Sequence, residues 1–192
     1  MTNQSNSHTN RNVWIIILVA SLGYFVDIYD LIIFSIVRVK SFEEIGVSPQ
    51  DMRAEGEFVL NMQMGGLLIG GVIWGIIGDK FGRLKVLFGS ILLYSLANIY
   101  NGFVHDVMTY GIIRFIAGIG LAGELGAGIT LVSESMHKSK RGYGTMLVAT
   151  VGVLGAVLGY VISEQYDWRT AYFVGGGMGL LLLLYEPRRS FV

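Results

Sequence analysis

Apolar positions in this chain come in long unbroken runs, without the alternation of strands or the one-sided stripe of a surface helix. Six runs, residues 13–37, 58–78, 86–104, 107–132, 143–163 and 170–185, are separated by short polar joints. The second and third contain no charged side chain. A helix of about 20 apolar residues crosses a hydrocarbon core. Backbone inside lipid must satisfy its own hydrogen bonds, which leaves only helices or closed barrels, and barrel strands show alternating segments of about ten residues that are not seen here. The pattern predicts an all-α membrane protein with six transmembrane helices in one domain, residues 13–185. A polar tail precedes it at 1–12. The charged residues 186–192 read as a second tail, cut short where the sixth run closes abruptly.

The sharpest break is the turn between the second and third runs, where residues 78–85 hold four charges and two glycines. Lys and Arg set the orientation. Arg11, Lys80, Arg83, Lys85, Lys138, Lys140, Arg141, Arg188 and Arg189 fall on the side of the amino terminus; Arg38, Lys40, Arg53 and Arg169 fall on the other. Nine against four places both termini in the cytoplasm. The longest connection, residues 38–57, is then external and acidic. Ser48-Pro49-Gln50-Asp51 predicts the capped start of a short helix within it.

Composition sharpens this picture. Hydrophobic residues make up 53% of 192 and charged ones only 15%, against roughly a quarter in soluble domains. Glycine, at 27 residues, suits helices packed backbone to backbone in lipid, and it recurs four apart at Gly66/Gly70, Gly71/Gly75, Gly155/Gly159 and Gly175/Gly179. A net charge of zero gives no nucleic-acid signal. The absence of cysteine excludes disulfides and thiolate metal sites. His8, His105 and His137 are scattered over joints and tails, so no metal or cofactor is expected, and nothing resembles an enzyme site.

Four charges lie inside the runs: Asp27 and Asp30 in the first, Arg114 and Glu124 in the fourth. A charge at mid-membrane costs about 2.5–3.5 kcal/mol on insertion scales and is paired and functional by default. At 1.5 Å per residue, Asp30 and Arg114 each lie about 10 Å from the outer ends of their helices, and Asp27 lies about 15 Å in. Spacing i,i+3 sets both aspartates on one face. These positions predict an Arg114–Asp27/Asp30 cluster facing a central cavity, with two acids against one base leaving a carboxylate to hold a proton. A salt bridge that only fixes helix register is the alternative. Glu124, about 12 Å from the cytoplasmic end in a glycine-rich stretch, is a second proton site or an internal gate. Tyr24 and Gln63, with Tyr29, Asn61, Tyr94 and Asn98, are candidates for substrate hydrogen bonds.

The turn Gly75, Asp79, Lys80, Gly82, Arg83 resembles the signature between the second and third helices of the major facilitator superfamily, departing from it at Leu84. Arg114 followed by Gly118-Ile119-Gly120 is similar to that family's fourth-helix motif. Glu134 with Arg141-Gly142 resembles the next cytoplasmic loop of its sugar porters and metabolite–proton symporters, although His137 stands where those have proline. The fifth helix lacks the Gly-Pro motif of the antiporter branches, which tilts the resemblance towards symport or facilitation. The resemblance implies one half of that fold, two inverted three-helix repeats, with a carboxy-terminal half or a second copy as partner. It implies transport of a small polar metabolite, an organic acid or a sugar, with a proton across the plasma membrane (the inner membrane in a Gram-negative cell). Asp79, Arg83, Glu134 and Arg141 would form a cytoplasmic gating network. The alternative is a truncated fragment that inserts in the bilayer and only packs with other helices.

Overall fold

The computed structural model describes residues 3–135 and 141–185. They form six α-helices: α1 (Asn3–Ile45), α2 (Met52–Phe81), α3 (Arg83–Asn101), α4 (Val107–Ser135), α5 (Arg141–Gln165) and α6 (Trp168–Tyr185). Segments of four of them, Ala20–Ile45, Met52–Phe81, Val107–Glu124 and Gly142–Gln165, are long and apolar enough to cross a membrane, and Trp168–Leu184 is a shorter apolar helix. α3 is less apolar because its inward face carries Ser90, Ser95, Asn98 and Asn101, all buried against neighbouring helices.

α1 outruns the apolar segment at 13–37. Past Arg38 it continues as an amphipathic helix that buries Ser41 and Phe42 and leaves Lys40, Glu43 and Glu44 at the surface. Gly46, at φ 87°, ends it. Its amide donates to Glu43 O at 3.2 Å, and the Val47 amide donates to Phe42 O at 2.9 Å, the paired bonds of a Schellman stop, which favours glycine at the left-handed position. The connection expected across 38–57 therefore shrinks to residues 46–51. Ser48–Asp51 starts no separate helix. It leads directly into α2, with Ser48 Oγ donating to Asp51 Oδ2 at 2.7 Å.

At the opposite end one residue joins α2 to α3. Gly82 adopts φ 90°, and its amide closes the last turn of α2 on Gly78 O at 2.9 Å. Gly75 and Gly71 approach no other helix of this chain among the described residues: a Cβ at either would meet nothing within 4 Å.

The close contacts lie elsewhere. α2 packs along α4, where a Cβ on Gly66 would strike the Phe115 carbonyl and one on Gly118 the Gln63 carbonyl. α1 packs along α5, with Gly155 against the Phe25 carbonyl. α4 also lies on α3, and α3 on α6. The largest apolar cluster, which includes Ile33, Phe34, Val37, Phe42, Tyr110 and Trp168, fills the bundle near the α1–α2 connection. It is closed over by Glu44, which accepts from Trp168 Nε1 at 2.6 Å and from Arg169 Nε at 3.0 Å. Arg169 also donates to Gly102 O and Val104 O at 2.8 and 3.1 Å, tying the ends of α1, α3 and α6 together.

Candidate functional site

α1 and α4 run side by side through the middle of the bundle and carry all four intramembrane charges. Arg114 Nη1 meets Asp30 Oδ1 at 3.3 Å, with the two side chains 0% and 1% exposed. Nη1 also donates to Asn98 Oδ1 at 3.1 Å, and Nη2 to the Asp30 backbone carbonyl at 3.0 Å. The guanidinium thus links three helices. Aromatic rings surround it, with its Cζ 5.5 Å from the Tyr172 ring centre and 6.0 Å from that of Phe34. The Tyr172 and Tyr110 hydroxyls are hydrogen-bonded at 2.5 Å, and Tyr110 stacks on Trp168. A desolvated cation held by a carboxylate, an amide and ring faces is a stable arrangement in a medium without water.

This geometry corrects two sequence expectations. The pair does not border a central cavity, because its members are enclosed within the six helices. Nor does Asp27 join it. Three residues before Asp30 on the same face, Asp27 turns instead to α4 one level further along, where the Glu124 carboxyl lies beside it. Glu124 reaches that level because Gly23 has no side chain: a Cβ there would stand 2.6 Å from Glu124 Oε1. Both acids are buried.

Tyr24 and Gln63 lie apart from these pairs. Tyr24 is half-buried against Gly152 of α5 and lines a pocket of about 400 Å³ with Gly142, Thr145, Met146, Val148 and Ala149. Gln63 is fully buried, and its amide has no hydrogen-bond partner among the described residues. Of the other candidates, Tyr29 donates to Ala171 O at 2.7 Å, which fixes α1 to α6. Asn98 is the amide that touches Arg114. In the turn motif, Asp79 and Lys80 are exposed at the end of α2. The side chains of Arg83, Glu134 and Arg141 lie outside the described residues, as does the loop with His137. Sequence reasoning missed Tyr110 and Tyr172. Tyr110 stands one turn before Arg114 and was findable by i,i+4 spacing; Tyr172 carried no such signal.

Residues 13–191 match the profile of the Major Facilitator Superfamily. Among curated relatives, the niacin transporter NiaP of Acinetobacter baylyi is 30% identical over 82% of this chain and 36% of its own length. The benzoate transport protein of the same species is 29% identical over 89% of this chain and 38% of its own. Among solved structures, the xylose transporter XylE from E. coli in its inward-open conformation superposes with a TM-score of 0.77 at 22% identity, covering 90% of this chain and 47% of that one. The proton:xylose symporter XylE bound to 6-bromo-6-deoxy-D-glucose gives 0.76 at 20% identity, covering 92% and 44%. The chain spans less than half the length of each of these proteins.

Proposed function

This chain belongs to the Major Facilitator Superfamily, its six helices being one half of that fold, and from this premise we propose that it is the amino-terminal half of a secondary transporter. The transporter moves a small polar metabolite, an organic acid or a sugar, by alternating access together with a proton. A carboxy-terminal half or a second copy completes it, with substrate held at the midplane between the halves, as is general for this architecture. Relatives whose names specify niacin and benzoate support the organic acid.

The observation that carries the reading is the buried Arg114–Asp30 pair. An apolar six-helix body has no packing need for a guanidinium, and intramembrane ion pairs mark transport paths by default. With both Nη atoms committed to Asp30 and Asn98, Arg114 acts first as the charge that pairs with Asp30 and holds α1, α3 and α4 in one register. Asp27 and Glu124 are the remaining acids available to a proton, while Tyr24 and Gln63 remain candidate substrate contacts. At the α2–α3 turn, Asp79 and Lys80, with Gly75, Gly82, Arg83, Glu134 and Arg141, form the cytoplasmic network that holds one conformation and releases the other. Both termini lie in the cytoplasm, and the bilayer is the plasma membrane.

The test is uptake by the purified chain in liposomes, using labelled benzoate, niacin and xylose as probes, with and without an inward proton gradient. Accumulation that collapses with a protonophore is expected. A chain that inserts and stays folded, yet moves none of them alone or with a second half co-reconstituted, would be the packing fragment instead. Orientation is checked separately. The native chain has no cysteine, so Lys85→Cys should be labelled only from the cytoplasmic side and Glu57→Cys only from outside.

A further inference from the structure

Asp27 and Glu124 form a pair distinct from Arg114–Asp30, and their chemistry differs. Ionised carboxylates only accept hydrogen bonds, so two lying side by side make no bond to each other unless one carries a proton. The site is dry, with Asp27 and Glu124 1% and 3% exposed. Two negative charges side by side in such a medium cannot both persist. Among the described residues, the titratable groups near them include Asp30 on α1, which adds to the negative field, and Tyr94 on α3. The buried Tyr94 hydroxyl lies beside Gly179 of α6. Asp27 Oδ1 is buried and unpartnered. Arg114, the cation of α4, is held by Asp30 and Asn98. Gly23 leaves room for this carboxylate, since a Cβ there would force the Glu124 Oε1 end to shift.

We propose that Asp27 and Glu124 share one proton and that this proton, rather than one on Asp30, is the ion carried during transport. The proposal rests on the transporter reading above. The pair takes one proton from one side of the membrane, passing from two charges to one, and surrenders the same proton to the other side. Asp30 stays paired with Arg114 throughout.

Infrared spectroscopy of the chain in lipid nanodiscs tests where the proton sits without requiring transport. At neutral pH a carboxylic-acid C=O band that shifts in D₂O is expected. It should move in Glu124→Gln and in Asp27→Asn, disappear in the double variant, and stay unchanged in Asp30→Asn. No such band in the native chain, or a band lost only in Asp30→Asn, would overturn the proposal. Should the double variant fail to fold, the single variants together with Glu124→Asp, which keeps the acid and should keep a displaced band, decide the matter. Where the native chain transports, Glu124→Gln should lose accumulation driven by a pH gradient; undiminished accumulation would also overturn the proposal. If nothing is transported but the infrared pattern holds, the transporter reading fails while the shared proton stands.

Discussion

Arg114 of α4 and Asp30 of α1 meet at 3.3 Å, 84 residues apart in sequence and sealed from solvent within the bundle. Removing either partner strands the other as an unpaired buried charge, which costs about 3–5 kcal/mol. Arg114→Leu and Asp30→Asn should each destabilise the folded chain by that order in detergent unfolding. Combining Arg114→Leu with Asp30→Asn should cost much less than the sum of the single changes, because no lone charge remains. Simple additivity would show that the pair is not coupled.

Glycine contacts should separate cleanly by face. Gly66→Val drives a side chain into the Phe115 carbonyl, and overpacking of this kind costs about 1–3 kcal/mol. Gly71→Val meets nothing within 4 Å in this chain and should leave the unfolding midpoint of the isolated chain unmoved. Equal effects at the two sites would contradict the α2–α4 crossing described here.

The clasp of Glu44 with Trp168 and Arg169 joins helix ends rather than membrane interior. The Glu44–Arg169 ion pair, with side chains 47% and 19% exposed, is partly screened, so a double-mutant cycle of Glu44→Gln and Arg169→Gln should return a coupling of about 0.2–1 kcal/mol, as for other accessible pairs. The coupling should shrink in high salt. A salt-independent value would point to the neutral Trp168 bond as the dominant contact.

Much of the fold was legible because lipid imposes a simple demand on sequence: unbroken apolar length. The six runs and the tight turn between the second and third could be read directly; that Gly82 alone forms the joint could not. The far end of α1 could not, because beyond Arg38 it continues by burying only one face, and charges at Lys40, Glu43 and Glu44 mimic a loop. Depth along each helix was enough to match Arg114 with Asp30. It was not enough to match Asp27 with Glu124, since that contact depends on helix rotation and on the bare backbone at Gly23, neither of which has a linear signature.

Asp106 offers a pH-dependent test outside the membrane. Its carboxylate accepts the Thr109 amide at 2.8 Å at the start of α4, and this backbone bond holds its pKa below the usual aspartate value. A lowered folded-state pKa means that the contribution is complete above the unfolded value, about 3.9, and is lost as pH falls through the lower folded value. Exchange of the Thr109 amide should therefore lose its protection on strong acidification. Asp106→Asn, still a good cap, should remove that pH dependence while keeping protection at neutral pH.

On α2 the backbone is bare on two opposite sides. One side, at Gly66 and Gly70, is already occupied by α4; the other, at Gly71 and Gly75, touches nothing in this chain. A saturation library scored in the living membrane would thus use the first pair as its calibration, since only glycine should survive there. The spectrum of residues accepted at Gly71 and Gly75 would then measure how tightly any neighbour from beyond these 192 residues presses on the helix.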